Sequence, residues 1–438
     1  MSDSIIVPLT DENVLREGGV PEDFSVLRNI SVGLDSLLSF LSEQYLQSYI
    51  PDGGSKIKMV TGRPGVGKTH FSRLMLAEAA ARNFLTVHFS AESVWLHDFR
   101  EIYLEVLRQC DLDRVLWGCA QQIIRDMGYD PDEIGDGKTF MDYLSEKGYG
   151  DVIGRTEIRA HLRKMFTRNP LLDNNFASCC SLLVGGMLGY PPLEPSARDL
   201  LLAFMYGDKN VKFPMLRALG LSPSKITKYN ARHLLRSLAE TVHNGGFAGI
   251  LIVIDDMEIL QKKGSQGMIH YAKVRREDTY ESIRQLIDDI DSMKYLMFLL
   301  CFDRVLMDNE NAGIKSYQAL WMRIQNEVVS PRFNSFADII ELDRYADQFY
   351  TPGVLCEMAR RLGDALQFPE GTLPLPDEDA AMKLIDQAQY GGLGLPYLVN
   401  RKVMEIISGA ENEEVPAGAR EGTEPQGLKY ETEGNANV

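Results

Sequence analysis

The stretch Gly62-Arg63-Pro64-Gly65-Val66-Gly67-Lys68-Thr69 restricts this chain more than any other. It fits the pattern GxxxxGK followed by Ser or Thr. Glycines here let the backbone take positive φ and wrap N–H groups around a phosphate. Lys68 supplies a point charge for the β- and γ-phosphate oxygens, and the Thr69 hydroxyl is a ligand for Mg²⁺. His70 follows in the same site. A helical stretch from about Lys68 to Arg82 aims its positive end at the same phosphates. Average residue frequencies give such a match by chance in on the order of one per cent of chains of this length. The flanks lower that further: "IKMVT" reads as a strand before the loop and "KTHFSRLMLAEAAA" as a helix after it. ATP with Mg²⁺ is the expected ligand.

A second stretch, "GILIVIDDMEIL" (249–260), is an apolar run that stops at two carboxylates. Such runs are strands buried on both faces, and ligands in open α/β sheets bind at strand carboxyl ends. Asp255 is expected to hold Mg²⁺ across the site from Thr69. Asp256 is expected to orient the attacking water, with Glu258 two residues on able to assist. Asp is one methylene shorter than Glu, so hydrolysis is expected to be slow.

Strand signals recur at 57–61, 84–90, 249–255, 295–302 and 337–342, with helical stretches between them. That alternation specifies an α/β fold: a parallel sheet covered by helices. Residues 92–246 carry helical signals and almost no strand signal, which is far longer than an ordinary βα connection. They read as a large helical insertion within an ATPase domain spanning 1–345, broken near 189–196 and 220–225. Residues 346–408 read as a helical lid domain. From 409 the chain is rich in Glu and Gly without periodicity, the pattern of a disordered acidic tail. The chain has 438 residues and a net charge of −16, which argues against wholesale coating of nucleic acid. No apolar run approaches the roughly 20 residues that span a bilayer. The first residues show no secretion signal. The six cysteines form no CxxC pair, and adjacent Cys179 and Cys180 read as packed thiols. A cytoplasmic location, with no membrane association, is expected.

The order of phosphate loop, insertion, Asp-Asp strand and helical lid resembles AAA+ ATPases of the origin-recognition type. The chain is more closely similar to the P-loop ATP-binding proteins of bacteriophage-exclusion (BREX) defence systems. The residues that carry this are "ISVGLDSLLSFL", "GKTHF", "GLSPSKITKYNARHLLRSLAETVHNGGFAGILIVIDDMEIL" and "GIKSYQALWMRI", within about 14–405. The resemblance implies an AAA+-type P-loop NTPase that works as a homo-oligomer with other defence-system proteins. The family pattern has Asp-Glu where this chain has Asp255-Asp256, which bears on hydrolysis and leaves binding intact. The resemblance also suggests Arg323 as an arginine finger reaching a neighbouring subunit's γ-phosphate. A surface salt bridge is the equal alternative, and Arg332 is the nearby competitor for the finger. Arg401 stands where an AAA+ lid carries its sensor arginine, with a solvated lid charge as the other reading. Asp303 falls in the sensor-one region, where a neutral side chain is usual, so that role stays unassigned.

Arg155, Arg159 and Arg163 recur every four residues, with Lys164 and Arg168 beside them. Lys225, Lys228, Arg232 and Arg236 form a second basic stripe. Solvated helix faces commonly look like this, and contact with DNA or an acidic partner is the sharper reading. Three functions compete. The first is a slowly hydrolysing ATP-binding regulator in an anti-phage complex, coupling nucleotide state to assembly on DNA or partner proteins. The second is a STAND-type signalling switch, favoured by Asp-Asp and by "GLGLPYL" (392–398), with Pro396 near the base. The third, a DNA motor, ranks last because no helicase motif set and no second phosphate loop is present.

Overall fold

The computed structural model describes residues 9–17, 19–150, 152–262, 270–328, 332–368 and 374–413. Five strands form one sheet: β1 (Ser55–Gly62), β2 (Leu85–Ser90), β3 (Ile250–Asp255), β4 (Leu296–Asp303) and β5 (Ile339–Glu341). Their order is β2-β3-β4-β1-β5 and every pairing is parallel. Parallel strands need both faces covered, and the residues alternate accordingly. Ile57, Met59, Ile250, Ile252, Ile254, Phe298 and Leu300 enter one apolar core, while Val60, Leu251, Val253, Met297, Leu299 and Cys301 enter another. The strand period of two is what sorts them. Nearly all are fully buried, each contributing roughly 1.5–3 kcal/mol of hydrophobic stabilisation.

On the second face lie α1 (Leu9–Arg16), α2 (Phe24–Ile30), α3 (Asp35–Leu41) and α4 (Lys68–Ala80). The first face carries the long segment between β2 and β3. Among the described residues it holds no strand. Its helices are α5 (Phe99–Gln109), α6 (Leu112–Asp126), α7 (Phe140–Glu146), α8 (Val152–Leu162), α9 (Asn174–Leu188), α10 (Pro195–Met205), α11 (Phe213–Ala218) and α12 (Ala231–Asn244). Their starts are set by side-chain caps: Asp98 accepts from Arg100 N–H, Asp111 from Arg114 N–H, Asp173 from Asn175 N–H, and Thr139 forms a capping box with Asp142. The break after Leu188 and the loop at 219–230 fall where Pro and Gly cluster in the sequence.

Helices α13 (Lys273–Asp289), α14 (Arg304–Asp308) and α15 (Gln318–Val328) flank β4. The last part of the chain forms α16 (Leu342–Phe349), α17 (Pro352–Ala365), α18 (Glu378–Tyr390) and α19 (Leu395–Glu413). Leu355, Met358, Ala359, Leu395 and Val399 join the same core as α2 and α4, so these C-terminal helices rest on the α4 side of the sheet. The expected tail begins inside α19, and its remainder, 414–438, lies outside the described residues. No helix among the described residues is long and apolar enough to cross a membrane.

Candidate functional site

The loop between β1 and α4 takes the shape its glycines permit. Gly65 and Gly67 have φ of +75° and +96°, values that side chains strain to adopt. Gly67 caps α4, and Phe71 N–H bonds Gly67 O at 2.8 Å. Gly62 ends β1, and Val66 is buried behind the loop. The free N–H groups of the first helical turn are those that bind phosphate in such loops.

The strand ends bring a set of charges to this loop. Asp255 is buried, and burial, then the charge of Asp256, pushes its carboxyl above the ordinary range. Asp256 N–H donates to Asp255 Oδ1 at 2.9 Å; that bond and then the Thr69 side chain oppose the rise. Asp256 itself is left-handed (φ 57°, ψ 31°), a conformation that Asp tolerates better than most. The following 3₁₀ turn, Met257–Leu260, carries Glu258. Its Oε2 is buried without a hydrogen-bond partner. Burial, then Asp303, raises its pKa, while Lys262 and Lys68 oppose that shift. Lys68 Nζ donates to Asp303 Oδ1 at 2.6 Å and to Arg63 O at 3.3 Å. Asp303 sits opposite Gly62 in the β1–β4 register. Lys68, Thr69, Asp255, Glu258 and Asp303 therefore meet at one end of the sheet. The sequence offered no role for Asp303, and its signal was only its place at the end of a strand.

Among the described residues no three His, Cys, Asp or Glu side chains form a metal cage. Thr69, in the first turn of α4, and Asp255, at the end of β3, nonetheless lie close enough for the Thr69 side chain to act on the Asp255 carboxyl. Two protein oxygens with room for phosphate and water fit Mg²⁺, which seldom uses an all-protein cage.

The C-terminal helices meet the loop through backbone and charge. Arg63 N–H and Nε donate to the Asp343 carboxylate at 2.7 and 2.8 Å, and its Nη1 donates to Ala388 O and Gly391 O. Gly394 N–H bonds Pro64 O at 2.9 Å, and Tyr397 N–H bonds Gly65 O at 3.1 Å. A Cβ on Gly65 would stand 2.4 Å from Tyr397 Cβ. Between loop, lid and N-terminal helices lies a cavity of about 260 Å³. Gly65 to His70, Pro396, Tyr397 and Asn400 border it, with apolar walls from Val20, Ile30, Val32 and Met358. Nothing in the sequence pattern marks Asn400, the neighbour of Arg401.

The remaining candidates lie elsewhere. Arg401 is exposed and pairs with Glu405 at 3.4 Å; helix phase turns it away from the cavity that Asn400 borders. Arg323, on α15, donates to Asp288 of α13 at 2.8 Å and is part exposed. Arg332 is exposed in the segment before β5. Arg155, Arg159, Arg163, Lys164 and Arg168 are all exposed, with Arg155 and Arg159 over the Tyr190 ring. The second stripe does not form a single face. Lys225 and Lys228 precede α12, Arg232 bonds Gln285 and pairs with Asp289, and Arg236 bonds Leu171 O.

Residues 12–130 and 156–357 match the family described as BREX system ATP-binding protein BrxC/D. The match covers most of the chain, and the chain belongs to this family. No curated protein and no solved structure matches it.

Proposed function

From this family membership and the cleft beneath the lid, we propose that the protein binds ATP with Mg²⁺ and hydrolyses it slowly, as a regulator in a phage-exclusion complex. The observation that carries the reading is the buried Asp255 carboxyl within reach of Thr69, beside a glycine loop of phosphate-binding shape. In this reading Gly62, Arg63, Pro64, Gly65, Val66 and Gly67 form the cradle and Lys68 meets the β- and γ-phosphates. Thr69 and Asp255 hold the ion. Bound Mg²⁺ neutralises phosphate charge during transfer. The AAA+ arrangement follows from the same proposal: an ATPase domain over 1–345 with its insertion at 92–246, and a lid over 346–408.

Water positioning falls to Asp256 and Glu258. Glu258 is the better placed, because its unpartnered Oε2 lies in the field of Lys68 and Asp303. Asp256 is turned by its left-handed backbone and supplies Asp255 with an N–H. Lys68 must exchange Asp303 for phosphate, and a carboxylate so close to the γ-phosphate slows productive closure. Arg323 acts from a neighbouring copy in a homo-oligomer, and Arg155, Arg159 and Arg163 meet DNA or an acidic partner of the complex. A STAND-type switch is the second reading, favoured by the hydrogen bonds of Gly394 and Tyr397 to the phosphate loop. Both readings place the protein in the cytoplasm.

Steady-state phosphate release tests the proposal. Arg323→Ala and Lys68→Ala proteins should each be inactive alone and should recover activity when mixed, because one shared site stays intact. Mixed oligomers without recovery would remove the shared site.

A further inference from the structure

We propose that Asn400, with His70 beside the same cavity, reads the 6-amino group of the base, so that the pocket under the lid selects adenine over guanine. This rests on the ATP reading and adds the means by which the base is chosen. Asn400 borders the cavity together with the phosphate loop. Its Nδ2 donates to Leu15 O at 3.1 Å. A carbonyl oxygen can only accept, so the amide nitrogen occupies that side and Oδ1 is turned away from Leu15. Oδ1 is screened from bulk water and has no hydrogen-bond partner. A buried acceptor left unpaired is costly, and a ligand N–H that reaches it removes the cost.

His70 contributes a second acceptor by a tautomer fixed within the fold. Ser31 Oγ lies 2.6 Å from Leu27 O and 2.7 Å from His70 Nε2. The single hydroxyl proton must go to the carbonyl. Nε2 therefore carries the hydrogen and donates to Ser31, which leaves the lone pair on Nδ1. Adenine presents an N–H donor at its 6-position, whereas guanine presents a carbonyl. Acceptors set against that carbonyl would all be left unpaired, which is how a polar pocket rejects the wrong ligand. The apolar walls suit the faces of either purine and do not discriminate between them.

The test is equilibrium binding of three probes: ATP, GTP, and purine riboside triphosphate, which lacks the 6-amino group. Wild type should bind ATP about 10- to 100-fold tighter than the other two. Asn400→Leu should bring ATP most of the way down to the level of the purine analogue and leave the analogue's own affinity unchanged. Asn400→Ala serves in its place where leucine disturbs folding. Equal affinity of wild type for ATP and the analogue would overturn the proposal. So would an Asn400 variant that weakens all three alike, since that is the mark of a residue that only anchors the lid to Leu15. If wild type binds none of the three, and Lys68→Ala behaves the same, the ATP reading itself fails.

Discussion

The two faces of the sheet use alternate residues of the same strands and come out different in kind. The face under α5 to α12 is a continuous apolar layer. Its thiols show it: burial pushes Cys110, Cys119 and Cys179 up to about 12, so none is a nucleophile at neutral pH. The opposite face carries α4, the lid and the cavity. Where it meets the strand ends, Asp255 sits buried and Asp303 part-buried against Lys68. One face spends its sequence on packing. The other holds charges in places that packing alone would reject, which is the usual signature of a site under functional demand.

Large-to-small changes should separate the faces most strongly. Phe166 is fully buried in the insertion layer. Phe166→Ala should lower stability by about 3–5 kcal/mol and leave nucleotide affinity of the folded protein unchanged. Denaturant unfolding and a binding titration on the same sample check both halves. A loss of affinity without loss of stability would break the division.

Next in size is Gly65→Ala. The added Cβ meets Tyr397, and φ is positive at that position. Stability should fall by about 1–3 kcal/mol, and here affinity should fall too, because loop and lid are displaced together. Unfolding and titration of the variant would show the two losses coupled; an intact affinity would mean the lid does not shape the loop.

A third change should move stability and function in opposite directions. Asp255 is buried with a raised pKa. Between its unfolded and folded pKa values the folded chain binds more protons, so this group's contribution to stability is lost as pH rises through that window. Asp255→Asn should therefore gain stability over wild type, by about 1–2 kcal/mol at neutral pH, and the gain should shrink as pH falls toward 4. It should at the same time weaken Mg²⁺-dependent ATP binding. Thermal unfolding across pH checks the sign, and a stability gap that widens at low pH would contradict it.

The smallest effect separates Glu258 from Asp256. Glu258→Gln should abolish turnover and Asp256→Asn should reduce it less, with binding intact in both. Wild-type turnover should fall on acidification with a midpoint above the ordinary Glu range, since burial raises the Glu258 pKa. Phosphate release across pH decides it; equal rates for wild type and Glu258→Gln would return the role to Asp256.

Much of this was legible in the sequence because its physics is local. The five strands announce themselves by apolar runs, and Gly62 to Thr69 by turn-forming glycines before a helix. The helical segment between β2 and β3 is legible because a long stretch lacks period-two patterning. What stayed hidden depends on how distant elements meet. The resemblance to AAA+ lids suggests Arg401, whereas the phase that presents Asn400 to the cavity is set by docking of α19 on α1. Asp303 gains its meaning from β4 lying beside β1. Arg232 and Arg236 look like an exposed stripe until α13 and the segment at Leu171 give them partners.

The central claim is that nucleotide binds on the loop-and-lid face through Lys68, and an ATP titration with Mg²⁺ on wild type and Lys68→Ala tests it most directly. Losing a charge-assisted contact costs roughly 1.5–3 kcal/mol, so the folded variant should bind at least about ten-fold more weakly. Unchanged ATP affinity in a folded Lys68→Ala protein would contradict the account.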